Sequence, residues 1–191
     1  MSVMKGKYKG VLETEHLVLR HFVRADADAM LMNWASDPDV IRFLPTDVCY
    51  TLEETHGRLD RWFDYFKEVE PGTWEMFAIV LGSTGELIGE IDYAETDTEN
   101  RSAEVGYQLG KAWWGLGYAA EALQVMMKHC FETVGLKRIW GDYDARNINS
   151  GKVMVKAGMH YERTTHSKNQ NGETVSKIQY SIMADDYYKR K

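Results

Sequence analysis

The chain has 191 residues, of which 44% are hydrophobic and 27% are charged, and its formal net charge is −6. This composition is ordinary for a folded protein, and the length predicts one domain over residues 1–191. The acidic balance argues against a nucleic-acid partner, and no apolar run approaches the roughly 18 residues of a membrane span. Because the first residues, MSVMKGKYKG, lack the apolar core of a signal peptide, we expect a cytoplasmic protein.

The first half of the chain predicts a strand, two helices and a β-hairpin. The strand lies in LETEHLVLRHF, where apolar and polar residues alternate. A helix follows in RADADAMLMNWASDP, with Asp26 near its start and Pro38 at its end, and LEETHGRLDRWFDYFKEVE forms a second, amphipathic helix. The hairpin pairs residues 74–81 with residues 87–93 across the turn GSTG.

The second half predicts two further strands, two helices and a closing hairpin. RSAEVGYQLG and LKRIWGDYD are the strands. The helix from about Tyr118 to Val134 carries an apolar stripe at helical spacing, and the helix in ARNINSGKVMVKAGM ends at Gly158. The last strands, residues 160–168 and 173–183, join at NQNGE, whose Asn-Gly pair favours a tight turn. This order of elements predicts a single α/β (α+β) domain.

The stretch KAWWGLGYAAEAL places Gly115 and Gly117 just before a predicted helix, where backbone N–H groups can approach a phosphate closely. The P-loop pattern fails here, because GYQLGKA is one residue too short and lacks Ser or Thr. The dinucleotide pattern GxGxxG/A matches GLGYAA literally. Its usual context is missing, however, because the preceding strand alternates instead of being continuously apolar.

A third pattern, the acetyl-coenzyme A loop Q/R-x-x-G-x-G/A, matches from Trp114 to Ala119 except at its first residue. In such a loop, successive N–H groups and the start of the following helix receive a pyrophosphate. From the loop alone, glycines that serve only a tight turn are an equally good interpretation.

Four blocks, spread over nearly the whole chain, carry a wider pattern: LETEHLVLRHF, WASDPDVIRFL, AEVGYQLGKAWWGLGYAAEAL and DARNINSGKVMVKAGM. Together they resemble the GCN5-related N-acetyltransferases, and within them the RimJ/RimL-like group of ribosomal-protein N-terminal acetyltransferase relatives. The third block is similar to that group's aEiGYxLxxxxWGxGyAxEA signature, in which Trp commonly replaces the superfamily's Gln or Arg. His16 and Met159 depart from the group's usual Arg and Phe.

The resemblance implies a GNAT-like mixed, strongly twisted, mostly antiparallel sheet with helices on both faces. In it, the strands AEVGYQL and KRIWGDYD would splay apart to form a cleft for acetyl-CoA, the acetyl donor. The residues that the resemblance assigns to acetyl-CoA are Gln108, Leu109 and Gly110 along the pantetheine arm, Trp114, Gly115, Gly117, Tyr118 and Ala119 around the pyrophosphate, and Asn147 and Ser150 near the arm and the sulfur.

Acetyl transfer to an amine needs a neutral amine, a stabilised carbonyl oxygen and a leaving thiolate. Glu104 is the first candidate for the general base, because partial burial beside the cleft would raise its pKa. An ordinary exposed Glu104, with a water chain acting as base, is the alternative. Ser150 is a candidate partner of the thiolate or else a helix cap. The backbone N–H near Leu109 is the expected donor to the carbonyl oxygen.

Other side chains support weaker expectations, each set against an ordinary surface role. Cofactor phosphates could meet Lys111, Lys152 and Lys156, the acceptor's cation could meet Asp142, Tyr143 and Asp144, and His166 could reach the cleft. The histidine spacing predicts no metal site.

The favoured function is therefore transfer of an acetyl group from acetyl-CoA to a primary amine, either a protein N-terminal α-amine or a small molecule, by direct attack in a ternary complex. An NAD(P)-binding oxidoreductase that uses GLGYAA and a non-catalytic acyl-CoA-binding module are the other classes. The sequence does not choose the acceptor. Trp62 and Tyr65 are compatible with a homodimer as well as with core packing.

Overall fold

The computed structural model describes residues 10–44, 46–70, 72–168 and 172–190. Its strands are Leu12–Glu13 (β1), Leu17–Arg20 (β2), Trp74–Leu81 (β3), Leu87–Asp97 (β4), Ser102–Leu109 (β5), Arg138–Asp144 (β6), His160–Lys168 (β7) and Thr174–Met183 (β8). They form one eight-stranded sheet in the order β1-β2-β3-β4-β5-β6-β8-β7. Every neighbouring pair is antiparallel except β5 and β6, which are parallel.

Helices cover both faces of this sheet. They are Ala27–Met30 (α1), Pro38–Ile41 (α2), Leu52–Glu68 (α3), Tyr118–His129 (α4), Ile148–Ala157 (α5) and Ala184–Tyr188 (α6). A 3₁₀ turn at Arg24–Asp26 precedes α1, and π-helical turns at Leu31–Ala35 and Cys130–Val134 extend α1 and α4. None of the described helices is long and apolar enough to cross a membrane.

The predicted mixed, mostly antiparallel sheet with helices on both faces is confirmed, but one boundary of the first helix was wrong. Asp26 lies at the start of this helix as predicted, at the N-cap position of α1, although its side chain makes no capping hydrogen bond to α1. The Asp26 carboxylate instead accepts from the N–H of Val23 at 2.8 Å. Pro38 does not end a helix but begins α2, where its fixed φ suits the first helical position, and the side chain of Asp37 caps that helix.

The other differences are small. The predicted first strand is divided into β1 and β2 by a turn, β4 continues to Asp97, and α6 was not predicted. Trp62 packs against the core with its ring 5.6 Å from that of Phe22, whereas 53% of Tyr65 is exposed. In the predicted turn NQNGE, residues 169–171 lie outside the described residues.

The core is divided by the sheet into two apolar clusters. On one face, Met76 and Ala78 of β3 pack with Leu59 of α3 and with residues of α1. On the other face, Val105 of β5 packs with Leu123 of α4 and with residues of α5. The sheet therefore has an α1/α3 face and an α4/α5 face.

The parallel pair β5–β6 separates along its length. Pairing begins at Ser102 and ends at Glu104, which lies opposite Trp140, although β5 continues to Leu109. On its far side, β6 stays paired with β8 to its end at Asp144. The predicted splaying of AEVGYQL and KRIWGDYD is therefore present, and it opens a gap through the middle of the sheet.

Candidate active site

The gap between β5 and β6 contains a cavity of about 350 Å³. Residues of both sheet faces line it: Glu104 and Gln108 from the α1/α3 face, and Tyr107 and Ser150 from the α4/α5 face. Successive side chains of a strand point to opposite faces, so a cavity with both kinds of wall must extend through the sheet. Two reactants can therefore enter it from opposite sides.

The α1/α3 wall of the cavity carries carboxylates without an ion pair among the described residues: Glu90, Asp92 and Glu104. We call these three residues the carboxylate wall. Residues that lie opposite each other on antiparallel strands point to the same face of the sheet. The pairs Glu90–Gln108, Asp92–Gly106 and Ala94–Glu104 therefore bring the three carboxylates to one face.

Burial raises the pKa of each carboxyl group in the carboxylate wall. It raises the pKa of Glu90 to about 7 and that of Asp92 to about 6. The pKa of Glu104 is also raised, first by burial and then by the negative charge of Asp142. Desolvation disfavours a carboxylate, so these groups bind protons nearer to neutral pH than ordinary acids do.

Gly106 creates the space that the Asp92 carboxylate occupies. The indole N–H of Trp74 donates to Asp92 Oδ2 at 2.8 Å. A Cβ atom at position 106 would lie only 2.6 Å from Asp92 Oδ1. Any larger residue at 106 must therefore displace this carboxylate or the strand.

Tyr107 and Ser150 meet on the opposite wall. The phenol of Tyr107 donates to the carbonyl oxygen of Ser150 at 2.9 Å and lies 3.0 Å from Ser150 Oγ. Because the phenol has one hydrogen and the carbonyl only accepts, the Ser150 hydroxyl then donates to the phenol oxygen. Ser150 is the third residue of α5 and does not cap it, so the alternative interpretation as a helix cap was wrong.

The cap position of α5 belongs to Asn147, whose side chain makes no capping hydrogen bond. Asn147 lines the cavity. Asp142 and Asp144 also line the cavity, but each already has a cation. Lys177 donates to Asp142 at 2.8 Å, and Arg146 forms a bidentate pair with Asp144.

The glycine loop lies apart from this cavity, at the end of β5. Gly110 follows the strand, and a Cβ there would collide with the carbonyl oxygen of Asn33. The indole N–H of Trp114 donates to the carbonyl of Leu109 at 2.8 Å, which ties the loop back to β5. Gly115 and Gly117 have φ values of +77° and +93°, a region that other residues adopt only under strain.

The start of α4 presents free backbone donors. Gly117 caps this helix without a side-chain hydrogen bond, and its carbonyl accepts from Ala120 and Glu121. The N–H groups of Tyr118 and Ala119 therefore have no partner within the helix. The ammonium of Lys156, on α5, lies close by, 3.1 Å from where a Cβ on Gly117 would stand.

Other predicted residues lie elsewhere. Lys111 forms an ion pair with Asp39, and Lys152 is exposed on α5. His166 is exposed on β7, where its ring nitrogen lies 3.2 Å from the hydroxyl of Ser176. Tyr143 lines the cavity, and its ring packs so closely on α5 that Gly151 has no room for a Cβ.

Sequence reasoning missed Glu90, Asp92 and Tyr107 as site residues. In GEIDYAE, the carboxylates at 90 and 92 interrupt a strand that is otherwise apolar. Acidic residues two apart in a buried strand must share one face, and ionised groups are seldom buried without a function or a partner. That pattern was the available signal.

A cavity between two splayed strands, with a glycine loop at a helix N-terminus beyond the end of the same strand, suits a ligand that carries phosphates. A family model described as an acetyltransferase (GNAT) domain matches residues 16–160. The chain belongs to the GNAT acetyltransferase family and is an acyltransferase.

Relatives agree with this assignment. The uncharacterized N-acetyltransferase p20 of Bacillus licheniformis is 28% identical over 177 residues, which cover 92% of this chain and 97% of p20. A GNAT-family acetyltransferase structure from Bacillus anthracis superposes with a TM-score of 0.79 at 26% identity, covering 92% of this chain and 99% of that one.

RimL, a ribosomal L7/L12 α-N-protein acetyltransferase in complex with coenzyme A, has a TM-score of 0.80. Its sequence is 19% identical, and the match covers 93% of this chain and 99% of RimL. At this level of identity the likeness shows that the two chains share a fold. The comparisons give no support to an oxidoreductase or to a non-catalytic module.

Proposed function

We propose that this protein transfers the acetyl group of acetyl-CoA to a primary amine by direct attack in a ternary complex. The observation that carries the proposal is the cavity that passes between β5 and β6, with a phenol–hydroxyl pair on one wall and carboxylates on the other. Reactants that enter from opposite faces can meet without a covalent enzyme intermediate. We further propose that residues 1–191 form one such domain, because a single sheet runs from β1 to β8.

The residues around the glycine loop fit acetyl-CoA. The unpaired N–H groups at the start of α4 suit a pyrophosphate, as do the positive φ values of Gly115 and Gly117. Trp114 holds the loop in place, and Lys156 adds positive charge beside it. Acetyl-CoA supplies the acetyl group as a thioester.

The strand end suits the pantetheine arm. Gln108, Leu109 and Gly110 lie where β6 has left β5, and Gln108 lines the cavity together with Asn147 and Ser150. The N–H of Gly110 donates to Ile88 on β4. Because successive N–H groups of a strand point to alternate sides, that of Leu109 is directed to the gap, where it can stabilise the carbonyl oxygen of the reacting thioester.

Glu104 is the proposed general base. It lies at the point where the strands separate, and its raised pKa lets it accept a proton from an ammonium with less loss of driving force than an ordinary carboxylate. Asp92 is the diagonal neighbour of Glu104 on the adjacent strand, and it can accept a proton from the same ammonium group. On the other wall, the hydroxyls of Tyr107 and Ser150 are hydrogen-bonded to each other. They are the proposed donors to the departing thiolate, and one of them turns from its present acceptor to serve it.

The test combines binding with turnover. Acetyl-CoA and coenzyme A should raise the melting temperature, by several degrees at concentrations about 100-fold above Kd, and NAD(H) should not. Thiol release should then depend on an added primary amine from a panel of N-terminal peptides and small amines. Stabilisation by NAD(H) alone, or acetyl-CoA binding without amine-dependent thiol release across the panel, would contradict the proposal.

A further inference from the structure

The cavity holds more negative charge than its own cations neutralise. Lys177 pairs with Asp142 and Arg146 pairs with Asp144. No described cation lies within 4 Å of a carboxylate of Glu90, Asp92 or Glu104. If Glu104 serves the reacting amine, the carboxylates of Glu90 and Asp92 still lack a counter-charge.

Buried acceptor atoms without a partner lie at this same position. Glu90 and Gln108 face each other on β4 and β5, and each is only 9% exposed. The amide of Gln108 donates to Glu90 Oε1, but Glu90 Oε2 and Gln108 Oε1 have no hydrogen-bond partner among the described residues. Both residues line the cavity, so a donor within it can reach them. Acceptors buried in this way are normally satisfied by protein, water or ligand.

Asp92 completes this group of acceptors. Trp74 fixes its Oδ2 atom, and Oδ1 occupies the space that Gly106 leaves by having no side chain. Asp92 also lines the cavity, and a carboxylate oriented in this way by an indole is preorganised for a cation there.

The groups packed around Glu90 do not already supply that cation. The charge of Arg58, on α3, lowers the pKa of Glu90, and so does the indole of Trp34, but burial outweighs both. One guanidinium nitrogen of Arg58 donates to the carbonyl of Asp47, and the other has no hydrogen-bond partner among the described residues. A metal ion is a poor occupant, because the described residues contain no group of three or more His, Cys, Asp or Glu arranged to hold one.

We infer that the acceptor is an amine with a second positive charge, and that Glu90, Asp92 and Gln108 Oε1 form the subsite for that second ammonium. The inference rests on the proposed function and names its substrate class. Asp92 and Glu104 are diagonal neighbours on adjacent strands, about 7–8 Å apart. An aliphatic diamine has a matching span, so one nitrogen lies at Glu104 while the other lies at Asp92.

The test uses acceptors of equal length that differ only at the far end: 1-aminobutane, 1,4-diaminobutane and 4-aminobutanoate. Thiol release should give 1,4-diaminobutane a kcat/KM about 10- to 100-fold above that of 1-aminobutane, as expected for hydrogen bonds to a charged group. The zwitterion 4-aminobutanoate should be the poorest acceptor, because its carboxylate is repelled by the carboxylates of Glu90 and Asp92. Equal values for the three amines, or preference for 1-aminobutane, would overturn the inference.

Variants locate the preference. Asp92→Asn and Glu90→Gln keep the side-chain shape, and each should lower the ratio between diamine and monoamine to about onefold to threefold. Glu86→Gln, in the exposed turn before β4, makes the same charge change away from the cavity and should leave the ratio unchanged. If one cavity variant fails to fold, the other decides the result. A ratio that both folded variants preserve would refute the subsite.

Binding separates this inference from the proposed function. Calorimetry of 1,4-diaminobutane with coenzyme A-saturated protein needs no turnover. Affinity should rise about tenfold or more between pH 5.5 and pH 8, because the carboxylates lose protons while the diamine keeps both charges. Diamine binding without acetylation of any amine would support the subsite and reject the acetyltransferase proposal. Amine acetylation without diamine preference or binding, or displacement of the diamine by millimolar MgCl₂ alone at constant ionic strength, would reject the subsite.

Discussion

The two faces of β5 contact different kinds of side chain. Residues 103, 105, 107 and 109 are apolar or aromatic and pack under α4 and α5. Residues 104, 106 and 108 on the same strand face the carboxylates of β4. One face is thus a conventional core surface that also borders the proposed acetyl-CoA channel. The other carries buried acidic groups that a core would exclude, and burying them costs stability.

The largest expected effect is that of Glu104→Gln. Removing a general base should lower kcat/KM for the amine by about 100- to 10,000-fold and flatten its rise with pH, because the amide cannot accept the proton. The Kd of acetyl-CoA should change by less than about twofold, since Glu104 lies on the α1/α3 face of the sheet. A pH profile that keeps its slope would transfer the role to Asp92 or to water.

Gly117→Ala should affect the cofactor side alone. At φ +93° an alanine is strained, and the distorted loop should raise the Kd of acetyl-CoA about tenfold or more. Gly85→Ala is the matched control, because Gly85 has φ +74° in the β3–β4 hairpin turn, outside the glycine loop. Both variants should lose about 1 kcal/mol of stability. Equal acetyl-CoA affinities in titration calorimetry would mean that the loop does not hold the phosphates.

Glu90→Gln should stabilise the folded protein in a pH-dependent way. A raised folded-state pKa of about 7 means that wild-type stability is fully present below the ordinary carboxyl pKa and is lost as pH rises through 7. Removing this group should therefore raise the free energy of unfolding by about 1–3 kcal/mol at pH 8 and by little at pH 4.5. Urea unfolding of the wild type and the variant at both pH values measures this difference in the free energy of unfolding. Destabilisation at pH 8 would show that the carboxylate is structural.

Tyr107→Phe has the smallest expected effect. It removes the phenol that holds Ser150, so stability should fall by about 1 kcal/mol and kcat should fall several-fold with little change in the KM of the amine. Ser150→Ala should lower kcat by a similar factor. The double variant of Tyr107→Phe and Ser150→Ala should lose no more than either single variant, because the two hydroxyls act as a pair. Additive losses would indicate separate roles.

The periodicity of the sequence predicted most elements of the fold, because each buries one face locally. The stripe from Tyr118 to Val134 and the closing strands are examples. Sequence reasoning was wrong at Pro38, where the same residue can end one helix or begin the next, and only packing decides between them. It also missed α6, which is a single short helix at the end of the last strand.

The sequence by itself determined the glycine loop and the family pattern, because both depend on residues that are consecutive in the chain. The tertiary structure decided the carboxylate wall. Glu90 and Glu104 are separated along the chain by a hairpin turn, and they share one face only because register places Glu90 opposite Gln108. Their pKa values are raised by burial in the folded chain, and that of Glu104 also by the charge of Asp142, which no local spacing encodes. The alternation of side chains along one strand follows from neighbouring residues in the sequence. Which residue lies opposite on the next strand depends on the register of the folded sheet.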